Sequence, residues 1–141
     1  MYSSWFPLAG WAFTLGVIAL AWWRGGSPER LGALALLAAA LVALIVNLVA
    51  PATVRPVLLL ADEGVLGLIF LMLALRYASA WLGVAMILQA IQFSLHAYYF
   101  VGELPHDRTY AIVNNLDTLG VLLCILAGTL LAWRKRSRLA K

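Results

Sequence analysis

Five apolar runs, each near the length a helix needs to cross a bilayer, constrain this chain more than any other feature. They extend from Trp5 to Trp23, Leu31 to Ala50, Val57 to Leu75, Trp81 to Val101 and Tyr110 to Trp133. A helix needs roughly 20 apolar residues to span the hydrocarbon. Inside lipid its backbone groups must be satisfied within the segment or by a closed barrel. The expected fold is therefore an all-α integral membrane protein, one domain folded as a bundle of five transmembrane helices. The alternative is four spans plus a re-entrant segment, because "ADEG" at positions 61–64 interrupts the third run. Composition points the same way. The 141 residues are 65% hydrophobic and 11% charged, whereas soluble domains are about a quarter charged.

The breaks between the runs are chemically explicit. "RGGSPER" (24–30) offers two glycines, Ser27 as an N-cap and Pro28 at the first helical position. "PATVRP" (51–56) contains two prolines, and "GELPHDRT" (102–109) carries most of the loop polarity. No Lys or Arg precedes the first run, so it lacks the basic region of a secretory signal and reads as a retained span.

Basic residues orient the bundle, since cytoplasmic loops carry the excess of Lys and Arg. With five spans and a cytoplasmic tail, Arg24, Arg30, Arg76, Arg134, Lys135, Arg136, Arg138 and Lys141 lie inside, and Arg55 and Arg108 lie outside. The expected location is a bacterial inner membrane, with the N-terminus periplasmic and the tail over 134–141 cytoplasmic. Trp5, Trp11, Trp22, Trp23, Trp81 and Trp133 fall near span ends, as an interfacial belt would. Ala35, Ala39, Ala43 and Asn47 form one small face on the second span, and Gly120, Cys124 and Gly128 another on the fifth. Small residues at this spacing let helices approach closely in lipid.

Polar residues inside spans then become the informative ones. Gln89, Gln92, His96 and Tyr99 in "QAIQFSLHAYY" recur at i, i+3, i+7 and i+10, one stripe on a helix turning about 100° per residue. The other spans supply Asn47, then Asp62 and Glu63, then Asn114, Asn115 and Asp117. In the orientation above all of these fall in the outer half. Glu63 aligns with Gly67 and Ala74 and is expected to face inward. Asp62 aligns with Leu66, Ile69 and Leu73 and is expected to face lipid, with Arg55 as its partner near the interface. Ionisable groups at such depth are costly and mark functional sites by default. Asn47, Gln89 and Asn115 read more simply as interhelical hydrogen-bonding glue.

These residues admit few chemistries. His96 with Glu63 and Asp117 is a conceivable site for a divalent metal, although no HExxH or paired histidine accompanies it. A proton or cation site needs less, because buried acids and a histidine can titrate in the physiological range. The inner half offers only Thr14, Ser79 and Thr129, so no polar path continues to the cytoplasm. Tyr98, Tyr99, Phe100 and Trp11 suggest a pocket for a lipid, quinone or pigment. No lysine lies in a span, which excludes a retinal Schiff base, and a single cysteine excludes an intrachain disulfide. No nucleophile-elbow motif is present, and no cofactor is specified.

The leading expectation is an ion- or ligand-binding membrane protein, with a possible part in transport. Its site would be Glu63, His96, Asp117, Gln92 and Asn114, with Asp62 second to Glu63. One alternative is a non-catalytic subunit of a homo-oligomer or of a larger membrane complex. Another is a small enzyme acting on a lipid-like substrate at the outer leaflet, against which the short loops argue. The expected partners are membrane lipids and further membrane protein, not nucleic acid.

Overall fold

The computed structural model describes residues 5–140, and these form five helices with no strand among them. They are α1 (Trp5–Arg24), α2 (Ser27–Val49), α3 (Arg55–Tyr77), α4 (Ala80–Val101) and α5 (Arg108–Leu139). Four of them, α2 to α5, are long and apolar enough to cross a membrane, while the described apolar part of α1, Leu8–Arg24, is shorter. Each of the three middle helices is 22 or 23 residues long, about 34 Å at the helical rise. The third run is not re-entrant, because α3 continues unbroken through Asp62, Glu63 and Gly64.

Consecutive helices pack side by side, and α5 returns against α1 to close the ring. The connections at 50–54 and 102–107 lie at one end, called upper here. Those at 25–26 and 78–79 lie at the lower end, with the tail. A single apolar core fills the lower and middle levels, built from Val17, Ile18 and Ala21 of α1, Ala33 and Leu36 of α2, Leu66, Phe70 and Leu73 of α3, Leu82 and Ala85 of α4, and Val121, Leu122 and Ile125 of α5. The outward faces are equally apolar. Leu48, Leu75, Met72 and Val101 are all exposed, which suits a hydrocarbon solvent.

Several boundaries differ from expectation for physical reasons. Gly26, not Ser27, caps α2, with Ser27 and Pro28 in the first turn. The Glu29 carboxylate reaches back to accept from the Gly26 N–H at 2.8 Å, an arrangement that removes one orphan donor of the helix start. The basic tail is not a separate segment, since α5 runs on to Leu139. Lys and Arg are good helix formers, and positive charge favours a helix C-terminus. Among the small-residue faces, Gly120 lies against the Leu88 side chain and Gly128 against the Trp81 indole. On α2 the fully buried face is Glu29, Gly32, Ala33 and Leu36, with Ala35 and Ala39 partly buried against the core and Asn47 exposed.

Trp81 departs furthest from its expected place. It is buried, not interfacial. Its indole sits between Gly32 of α2 and Gly128 of α5, and its N–H donates to Glu29 Oε1 at 3.0 Å. The lower half of the bundle therefore holds one buried carboxylate with a partner from another helix.

Candidate functional site

Glu63 stands at the centre of the upper polar cluster. It lies eight residues into α3, about 12 Å from the helix start, on the face turned to α4. Its Oε2 accepts a hydrogen bond from Gln89 Nε2, and that amide also donates to the Glu63 backbone carbonyl at 3.3 Å. Glu63 Oε1 lies 3.4 Å from Gln92 Nε2, a longer contact. The Gln92 amide donates to Asn114 Oδ1 at 2.9 Å and so carries the network from α4 to α5. Gln89 is 1% exposed and Gln92 7%. These amides satisfy the acid from the dry side of the bundle, where an unmet carboxylate would be strongly unfavourable.

His96 lies one turn above Gln92. Its Nδ1 is 2.9 Å from the Gln92 carbonyl oxygen, which can only accept, so Nδ1 carries the hydrogen. In the neutral ring Nε2 is then the acceptor, and the Tyr110 hydroxyl lies 2.7 Å from it. Tyr110 also stacks on His106, with centroids 4.0 Å apart and planes 4° apart. Asp107 completes the upper layer as the N-cap of α5. Its Oδ1 accepts from the Tyr110 backbone N–H at 2.9 Å and from the Tyr99 hydroxyl at 2.8 Å. Those two bonds hold its carboxyl below the ordinary 3.8.

A cavity of about 450 Å³ opens above this layer, lined by Pro56, Leu59, His96, Tyr99, Glu103 and His106 among others. His96 and Tyr99 are thus members of the network that meet the opening. Trp11 does not share it. That ring lines a separate groove of about 750 Å³ between α1, α2 and α5, together with Thr14, Asn115 and Thr118. Tyr98 is exposed on the outer surface.

The remaining expected residues divide. Asp117 is buried at 5% exposure on α5, and its Oδ2 has no hydrogen-bond partner among the described residues. Asp62 is half-buried, not lipid-facing. Its companions Leu66 and Leu73 are buried in the core, because α3 packs against α2 and α4 at once and buries a wide arc. Arg55 turns to the Ala50 carbonyl, 3.0 Å away, instead of to Asp62. Asn47 is exposed and donates to its own helix at Ala43, 2.9 Å away, so α2 contributes nothing to the cluster. The polar level is shared by three helices, not four. Among the described residues no three His, Cys, Asp or Glu side chains are grouped to hold a metal ion, which leaves Glu63, His96 and Asp117 without the geometry of a metal centre.

Gln89, Tyr110 and Asp107 belong to the network although the sequence did not single them out for a site. Gln89 shares the stripe of Gln92 and His96, and "DRTY" places Asp107 three residues before Tyr110, the spacing of a helix cap and its acceptor bond. No protein-family model matches the chain, and no curated protein or solved structure matches it.

Proposed function

We propose that this chain is a five-span protein of a bacterial inner membrane, with its upper end in the periplasm, and that it binds an ion or small ligand at Glu63. The carrying observation is a charge imbalance. Glu63 and Asp117, with Asp62 beside them, lie in stretches of α3, α4 and α5 that contain no Lys or Arg between Pro56 and Leu75, Ala80 and Val101, or Thr109 and Trp133. Acids embedded in spans require neutralisation, and here no basic side chain supplies it. Below the cluster Phe70, Leu82 and Ile125 leave no exposed surface. The site therefore communicates with one side only, and transport through it requires the helices to rearrange.

A second reading, a subunit of an oligomer or larger complex, draws support from Asn115. This amide is exposed in the upper part of α5 and lines the groove beside α1, where a partner helix would satisfy it.

N,N′-dicyclohexylcarbodiimide separates the two readings, because it modifies carboxyl groups that take up a proton in apolar surroundings. In native membranes the folded protein should gain one adduct, mapped by peptide mass to Glu63. Glu63→Gln should insert and melt as the parent does and gain none. An adduct that forms only after unfolding, or a Glu63→Gln chain that fails to assemble, would make the cluster structural glue and favour the subunit reading.

A further inference from the structure

We infer that the occupant of the Glu63 site is a proton and not a metal cation. The inference rests on the reading of Glu63 as the binding group and specifies what it binds.

The orientation of the amides carries it. A hard cation is held by oxygen atoms, from carboxylates, carbonyls and waters. Around Glu63 the neighbouring side chains present nitrogen instead. Gln89 touches both the Glu63 carboxylate and the Glu63 backbone carbonyl. The carbonyl can only accept, and so can the carboxylate when ionised, so the Gln89 atom facing them is the NH₂ group. Turning the Gln89 oxygen inward would set it against the Glu63 backbone carbonyl, which can only accept. Gln92 presents a second NH₂ towards Glu63, and its position is fixed by the bond to Asn114. A cation placed on this carboxylate would meet the positive ends of two amide dipoles. A proton meets less conflict, since on Oε1, whose contact with Gln92 is the longer one at 3.4 Å, it leaves Oε2 free to accept from Gln89.

Space argues the same way. The upper cavity reaches His96, but Glu63, Gln89 and Gln92 are absent from its lining. A hydrated cation or an organic ligand in that cavity would stop one layer above the acid. Glu63 and His96 both contact Gln92, whose backbone carbonyl accepts from His96 and whose side-chain NH₂ faces Glu63. The step is a simple protonation. A hydronium ion that enters from the upper cavity and passes the Gln92 layer gives its proton to a Glu63 carboxylate oxygen and leaves as water, and the reverse step returns the proton to water.

Other ionisable groups face Glu63 and must be separated from it. They are Asp62 on the same helix, His96 from α4, and Tyr110 and Asp117 from α5. From α2 none does, because its only charged residues, Glu29 and Arg30, lie at the opposite end.

Infrared difference spectroscopy of the protein in lipid, stepped between about pH 4 and pH 10, tests the inference. Glutamate labelled with ¹³C at its side-chain carboxyl distinguishes Glu63 from the aspartates. The expected result is a protonated-carboxyl carbonyl band that appears and disappears with pH, is lost in Glu63→Gln, and is unchanged by sodium, potassium or magnesium at constant pH. Gln89→Met keeps the test decisive if Glu63→Gln does not fold. It removes one donor, so the same band should persist and change frequency. A band that any of these cations abolishes at constant pH would overturn the proton assignment while leaving Glu63 as a binding group. The absence of any titrating glutamate band would overturn it as well, and a Glu63→Gln chain that inserts and melts as the parent does would tell that outcome apart from a purely structural Glu63.

Discussion

Trp81 shows what a single side chain contributes when it joins three helices. Its indole N–H gives the buried Glu29 carboxylate a donor from another helix, 3.0 Å away, and the second carboxylate oxygen is satisfied by the Gly26 backbone. Trp81→Phe keeps most of the ring and removes that donor. Hydrogen bonds to charged groups contribute about 1.5–3 kcal/mol, and thermal unfolding in detergent should show a loss of that order. Glu29→Gln keeps an acceptor for only one of the two N–H groups and should also destabilise. If Trp81→Phe melts with the parent, Glu29 is not held by the indole. Neither residue was legible in the sequence as half of a pair. Glu29 follows Pro28 and reads as part of a loop, and a tryptophan at a span start reads as interfacial. Their meeting depends on which helix lies next to α2 at the lower end, and helical periodicity does not contain that information. Glu63 was easier to place, because Gly67 and Ala74 mark its face as one that packs. Gln89 was harder, because an amide on a polar stripe has the same appearance whether it supports an acid or only another helix.

At the scale of the helix, glycine decides how closely α4 and α5 approach. A Cβ at Gly128 would lie 2.8 Å from Cε2 of the Trp81 indole, and a rigid ring held between two helices cannot yield cheaply. Gly128→Ala should therefore destabilise by about 1–3 kcal/mol, the usual range for overpacking. Gly16→Ala on α1 should be neutral or mildly stabilising, since a Cβ there meets nothing within 4 Å and alanine favours the helix. Equal melting of the two variants would mean that α5 can shift away from the indole without loss. The sequence indicated the Gly120–Gly128 face of α5 correctly as a packing face, because spacing of four is a property of one helix. On α2 it found only the edge of the buried face, since Ala35 and Ala39 pack partly against the core while Gly32 receives the indole. It also assigned lipid contact to the Asp62 face of α3, since burial of two adjacent stripes follows from having two neighbours.

For the whole molecule the direction of opening matters most. The ring brings Glu63, Gln92 and Asn114 to one level, with His96 one turn above them at the floor of the upper cavity. Below them the core is apolar, and the polar pair of Glu29 and Trp81 lies beyond it. The lower end carries Arg24, Arg30 and Arg76 together with the basic end of α5, whereas the upper end carries Arg55 and Arg108. That asymmetry should hold the lower end in the cytoplasm, so that Glu63 exchanges with the periplasm. Alkaline phosphatase, which folds only after export, should be inactive when fused after Lys141 and active when fused after Gly102. The opposite pattern would put the His96 cavity in the cytoplasm. Glu63 would keep its amide donors in that case, and its proton would come from the cell interior. The same cluster would then report cytoplasmic pH instead of sampling the outside.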